Sequence, residues 1–123
     1  MSVLSAFNNV IINFIDDCML VFPEDTDFKI YKKGLQVYQK YNPKKILTIF
    51  NEYMTLYRPQ ILEKDEAFFL ENDYEIINKY NNKEIFEIIN KIKKYWTLLD
   101  ENNKTKIWDY LLLLIKISDQ YNA

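Results

Sequence analysis

The chain has no histidine, one cysteine, one glycine and three prolines in 123 residues. Without histidine there is no Ser-His-Asp or Cys-His nucleophilic pair and no histidine-based zinc or iron site. Cys18 stands alone, so it builds neither an internal disulfide nor a thiolate metal cluster, and it favours an intracellular compartment. With Gly34 as the sole glycine, neither a phosphate-binding P-loop nor a dinucleotide fingerprint fits the chain. The same scarcity removes the glycine turns on which β-hairpins rely. Arg58 is the only arginine among 16 basic residues, while isoleucine, lysine, asparagine and tyrosine are abundant. An A/T-rich genome produces that bias with no folding reason behind it.

What is present points to a helical body. Hydrophobic residues make up 49% and aromatics 16%, far more than a disordered chain carries. A length of 123 residues suits one domain spanning 1–123, since a second would be too small to bury a core. The net charge of −2 is not that of a chain built as a whole to sit on phosphate. The first charges are Asp16 and Asp17, with no basic segment before the apolar run, so no secretory signal is expected. The longest unbroken apolar stretch, 110–115, is too short to span a bilayer, so a soluble chain without a membrane partner is expected.

Periodicity divides the chain into helices. Leu4, Phe7, Ile11, Phe14, Cys18 and Val21 recur at steps of three and four, predicting a first helix over 2–22, capped by Ser2 and stopped by Pro23. After the turn "PEDTD", with Asp25 or Thr26 as N-cap, the stripe Phe28, Tyr31, Leu35, Tyr38 predicts a second helix ending near Tyr41. Asn42-Pro43 reads as a restart, and Ile46, Leu47, Phe50, Tyr53, Met54 and Tyr57 form a third stripe, whose helix should end near Tyr57 or bend at Pro59. Short pieces follow at 60–64, 65–70 and 73–80. Two long helices are predicted over 83–99 (Ile85, Ile89, Ile92, Trp96, Leu99) and 103–121 (Ile107, Trp108, Leu111, Leu112, Ile115).

The fold class is therefore all-α: a compact bundle of about five main helices, with short helical pieces in the middle crossover. Its expected core includes Phe7, Phe14, Leu35, Phe50, Tyr53, Ile89, Trp96, Trp108 and Leu112. Val10, Ile12, Val37, Ile49, Leu56, Ile88, Leu113 and Ile117 lie off or at the edge of their stripes. Some should stay exposed and offer a surface to a protein partner or a second copy.

"EKDEAFFLENDY", 63–74, crowds five carboxylates among aromatics. A metal site or a peptide-docking surface would need such residues, but so does a junction of two short helices. Asp65 and Asp73 each precede a short apolar run, where an N-cap carboxylate accepts backbone N–H bonds, and Glu66 and Glu75 fall in the first turns. The helix junction is the reading adopted.

Two patterns carry possible chemistry. Glu63 and Glu66 are three apart, as are Glu84 and Glu87, so each pair shares a helical face and is spaced to hold magnesium. The pattern resembles the ExxE…ExxD motif of all-α nucleotide pyrophosphohydrolases, with glutamate where the family has its final aspartate. That resemblance implies magnesium-dependent cleavage of nucleoside triphosphates. Otherwise no catalytic residue, metal or cofactor is expected. The second pattern is charge in blocks. Residues 28–51 hold Lys29, Lys32, Lys33, Lys40, Lys44 and Lys45 and no acid, between segments rich in acids. Tyr31, Tyr38 and Tyr41 are interleaved with these lysines, as in single-stranded nucleic-acid binders. The same tyrosines belong to the apolar stripe, which turns them inward and leaves the lysines as a wet face that suits a protein partner equally well.

The phrases "VFPEDTDFK", "IFNEYMTLYRPQI", "DEAFFLENDY" and "KIKKYWTLLDENNKTKIWDYLLLLIKIS" together resemble a family of short helical proteins of nucleocytoplasmic large DNA viruses, the giant viruses. The likeness runs over nearly the whole chain, and it brings no catalytic residues with it. It implies a viral product in an infected cell, in host cytoplasm or viral factory, or packaged in the virion. The leading expectation is a non-enzymatic protein–protein interaction module. Nucleic-acid binding through the lysines of 29–45 comes second, and the pyrophosphohydrolase third.

Overall fold

A computed structural model describes residues 2–72 and 83–123. Among them the architecture is all-α: α1 (Val3–Val21), α2 (Asp27–Tyr41), α3 (Lys45–Leu62), the short α4 (Glu66–Glu71), α5 (Lys83–Tyr95) and α6 (Glu101–Asn122). The short helix expected over 73–80 lies outside the described residues. α1 lies against α2 and α6 and also touches α3. α3 packs on α6, and α5 packs on α2.

Helix starts follow local polar chemistry. Ser2 Oγ accepts from the Ser5 N–H at 3.0 Å, Asp65 Oδ1 from the Phe68 N–H at 3.0 Å, and Asp100 Oδ1 from the Asn103 N–H at 2.8 Å. Each satisfies a donor that a helix start leaves without an intrahelical partner. At α2 the choice falls on Asp25, whose Oδ1 accepts from the Asp27 N–H at 3.1 Å, while the Thr26 side chain makes no capping bond. Two starts differ from expectation. Asp100 begins α6 at Glu101 rather than at 103. Asn42-Pro43 is a turn and not a cap: the Asn42 N–H closes α2 on Tyr38 O at 2.8 Å, and α3 begins at Lys45.

The end of α3 departs most from the sequence reading. The helix continues through Pro59 to Leu62, absorbing the segment expected as a separate piece over 60–64. A proline in the last turn forfeits a single intrahelical N–H bond, and the residues after it gain the burial of Ile61, which is 2% exposed. Past Leu62 the Lys64 N–H bonds Ile61 O at 3.0 Å and the Asp65 N–H bonds Gln60 O at 2.9 Å. That pair of bonds is a Schellman motif, and Lys64 occupies its left-handed position at φ 55°. At the other long helix, α5 ends at Tyr95 and tightens into a 3-10 turn over Trp96–Leu98, where a continuous helix to 99 was expected.

Burial broadly follows the stripes. Phe7, Leu35, Tyr53, Trp96 and Trp108 are buried as expected, but Phe14, Phe50, Ile89 and Leu112 are only half-buried against the core. Ile88 and Ile92 are the buried positions of α5, and Leu114, Ile115 and Ser118 those of the second half of α6. Of the apolar residues off or at the edge of their stripes, Ile49 and Ile88 are buried at 4% and 7%, whereas Val37, Leu56 and Leu113 are exposed, so some but not all of that group face solvent. A helix with neighbours on more than one side buries more than a narrow stripe. Phe69, Trp96 and Trp108 form an aromatic triangle, with ring centroids 5.2, 5.9 and 6.1 Å apart, that locks α4, the 3-10 turn and α6 together.

Among the described residues α1 is the one helix long and apolar enough, by length and composition, to cross a membrane, although 110–115 is the longest unbroken apolar run. Its polar side chains are nonetheless engaged within the bundle. Asn8 Nδ2 donates to Pro43 O at 2.9 Å, Asn9 Oδ1 accepts from Gln39 Nε2 at 2.9 Å, and Asp17 accepts from the Tyr110 hydroxyl. Those bonds suit a core helix. Burial first, and then Asp17, push the Cys18 thiol up to about 12, so it stays protonated and unreactive at neutral pH.

Lys64 supplies a test of the chain termination of α3. A non-glycine residue in the left-handed region costs about 1–2 kcal/mol. Lys64→Gly should therefore raise the unfolding free energy by about 1 kcal/mol in urea denaturation. A loss of stability would contradict the Schellman assignment.

Candidate functional site: the outer face of α2

α2 divides its residues between two environments. Phe28 and Leu35 are fully buried, Tyr31 is 6% exposed, and Tyr38 is half-buried with its hydroxyl on Glu84 Oε2 at 3.2 Å. The opposite face carries Lys29, Ile30, Lys33, Gln36, Val37, Lys40 and Tyr41, all exposed and recurring at steps of three and four. Ile30, Val37 and Tyr41 are 63%, 55% and 74% exposed, so the stripe is apolar as well as basic.

Three anchors hold this face in position. At the N-terminal end, Lys91 Nζ sits 2.8 Å from Asp25 Oδ2 and 2.9 Å from Asp27 Oδ2, and the Tyr95 hydroxyl also donates to Asp25. Burial would raise the Asp25 carboxyl, but Lys91, Tyr95 and the Asp27 N–H outweigh it and hold the group below the usual carboxylate range. The same hydrogen bonds, to Asp25 first and then Asp27, hold the Lys91 ammonium above its ordinary range. Phe22 stacks on Tyr95 at 4.3 Å beside this cluster. Along the α1 side, Lys32 Nζ meets Asp16 Oδ1 at 2.7 Å. On the α5 side, Gly34 lets Glu84 approach: a Cβ at Gly34 would lie 2.8 Å from Glu84 Cγ. The chain's one glycine is thus used for close helix packing and not for a turn.

The six lysines separate into two groups. Lys32 is committed to Asp16, and Lys45 Nζ lies 5.9 Å from the centre of the Tyr38 ring. Lys29, Lys33, Lys40 and Lys44 are exposed, and among the described residues no carboxylate forms an ion pair with them. Lys40 Nζ lies 5.2 Å from the centre of the Tyr41 ring, which leaves its charge uncompensated. With Tyr31 and Tyr38 turned inward, Tyr41 is the one tyrosine of the three that stands in solvent. Ile30 and Tyr41 are the contributors that the stripe reading did not single out as exposed. Their signal was available: with Val37 they lie opposite the line Phe28–Tyr31–Leu35–Tyr38.

The four candidate magnesium ligands are dispersed. Glu63 is exposed at the end of α3. Glu66 Oε1 lies 3.9 Å from Lys104 Nζ, Glu84 accepts from Tyr38, and Glu87 Oε1 lies 3.8 Å from Lys83 Nζ. Among the described residues no three acidic, cysteine or histidine side chains converge on one point. What the described residues of the α2 face present is charge and apolar surface.

Compared with known proteins, the chain matches no family model, no curated protein and no solved structure.

The Gly34–Glu84 contact makes a double-mutant prediction. Alanine exceeds glycine in helix propensity by about 1 kcal/mol. In the Glu84→Ala background, Gly34→Ala should deliver that gain. In the otherwise unchanged chain the gain should be cancelled, because Glu84 must leave and its bond to Tyr38 breaks. Equal effects in both backgrounds, measured by chemical denaturation, would contradict the contact.

Proposed function

We propose that the protein is a non-enzymatic protein–protein interaction module of a giant virus, and that the outer face of α2 is its docking surface. The observation that carries the reading is the combination on one anchored helix: Ile30, Val37 and Tyr41 exposed in line, flanked by Lys29, Lys33, Lys40 and Lys44, which have no acidic partner among the described residues. Burying those apolar groups supplies binding free energy, at about 25 cal/mol per Å² removed from water. The lysines supply steering and orientation. The complementary partner is an acidic segment with apolar anchors, of which an amphipathic helix is the simplest form. The viral setting rests on the sequence resemblance. It places the protein in host cytoplasm or viral factory, as an adaptor, or in the virion as a component.

The second reading, nucleic-acid binding, uses the same four lysines and Tyr41. It is the weaker one because two of the three interleaved tyrosines face the core, leaving a single ring for base stacking. The pyrophosphohydrolase reading has least support, since Glu63, Glu66, Glu84 and Glu87 are not brought to a common centre.

Affinity purification from infected cells, followed by mass spectrometry with nuclease treatment, tests the proposal. The unchanged protein should capture a specific acidic protein, in nuclease-treated lysate as well. Val37→Asp should lower its affinity by roughly tenfold or more, the effect of losing an interface anchor. Lys33→Glu with Lys40→Glu should slow association most at low salt. Capture that survives all of these substitutions refutes the docking face. Loss of capture with nuclease, together with salt-dependent retention on single-stranded nucleic acid, would establish the second reading instead.

A further inference from the structure

Between them, α1, α3, α4, α5 and α6 line a partly open pocket of about 160 Å³. Among the described residues its wall exposes only apolar atoms, the rings of Tyr53 and Tyr110 included, and none of the lining residues is on α2, so the cavity is separate from the docking face. Ile15 of α1, Ile49 and Met54 of α3, Phe69 of α4, Ile88 of α5 and Leu114 of α6 line it, and all six are buried.

Close-packed interiors leave few voids larger than a water molecule, so a space of this size needs an account. Volume alone would admit water. But a buried water needs two to four polar partners, and this wall presents none. Collapse is resisted by the isoleucines, because a β-branched side chain in a helix is held to essentially one χ1 rotamer. Ile49 and Ile88 belong to the apolar residues that lie off or at the edge of their helical stripes. Their burial supplies the wall instead of an exposed patch.

We propose that this cavity is a binding site for a compact, neutral, apolar molecule about the size of benzene. Engineered cavities of about 150 Å³ lined by leucine, isoleucine and phenylalanine stay dry and take up benzene or xenon, and this one matches them in volume and wall chemistry. Among the described residues no polar atom on the wall faces the space to receive a carboxylate or phosphate head, which favours a neutral guest. Met54 supplies the adaptable part of the wall, since its unbranched thioether side chain re-packs around guests of different shape.

The test uses the full chain with benzene and xenon as separate probes, read by the methyl NMR signals of isotope-labelled isoleucine. The δ1 methyls of Ile15, Ile49 and Ile88 should shift saturably with either probe, while that of exposed Ile30 stays in place. Near saturation with benzene the melting temperature should rise by several degrees. Ile88→Phe, which fills the space, should weaken both probes at least tenfold. The measurement on the unchanged chain stands without that variant if overpacking prevents its folding. Absence of saturable shifts at the three wall methyls, or shifts of equal size at Ile30, would overturn the proposal.

Discussion

One nearly buried carboxylate sets the position of α2. Asp25 accepts from Lys91, from the Tyr95 hydroxyl and from the Asp27 N–H, so a single side chain joins the α1–α2 turn to the C-terminal part of α5. A carboxylate so placed is stable only with its partners in place, because desolvation without compensation is expensive. The turn, the start of α2 and the last turns of α5 must therefore be arranged together. Phe22 stacked on Tyr95 closes the apolar side of the same junction. With α2 fixed there, and again by Asp16–Lys32 and the Gly34–Glu84 approach, its remaining face has no course but to meet solvent.

Carboxylates do most of the remaining local work. Asp65 and Asp100 start helices, and Asp119 accepts both guanidinium nitrogens of Arg58, at 2.9 and 2.7 Å, linking α3 to α6. The crowded acids of 63–71 are read in the same way: one cap, one first-turn acid and solvent-facing neighbours. That assignment is why an acidic segment that draws attention in the sequence yields no metal centre among the described residues, while the functional interest moves to the lysines of α2.

Much of this architecture was legible in the sequence, and the failures have particular causes. Ser2 and Pro23 mark α1 because capping and proline exclusion are local effects. The end of α3 was not legible, because the usual glycine at the left-handed position is replaced by Lys64 and the burial of Ile61 overrides the Pro59 break. Asn42-Pro43 offered a cap and a helix start in one dipeptide, and the chain uses it as a turn. Side-chain roles were harder still. Six lysines could be counted, but nothing local tells that Lys32 meets Asp16 of α1 while Lys33, one residue on, meets no acid among the described residues. Which of the off-stripe apolar residues would be buried was not legible either, because periodicity describes one face per helix, and Ile49 and Ile88 sit on helices covered on more than one.

The anchoring of α2 through Asp25 is the claim on which the docking face stands, and amide hydrogen exchange reads it residue by residue. The Asp25 carboxyl is held below its ordinary range, so its contribution is present at neutral pH and is lost as pH falls through and below the usual carboxylate range. Amides in the first half of α2 should therefore lose protection on acidification earlier than those in the middle of α6. In Lys91→Met that selective loss should already appear at neutral pH. Uniform loss across α2 and α6 at acid pH, with unchanged protection in Lys91→Met, would contradict the account.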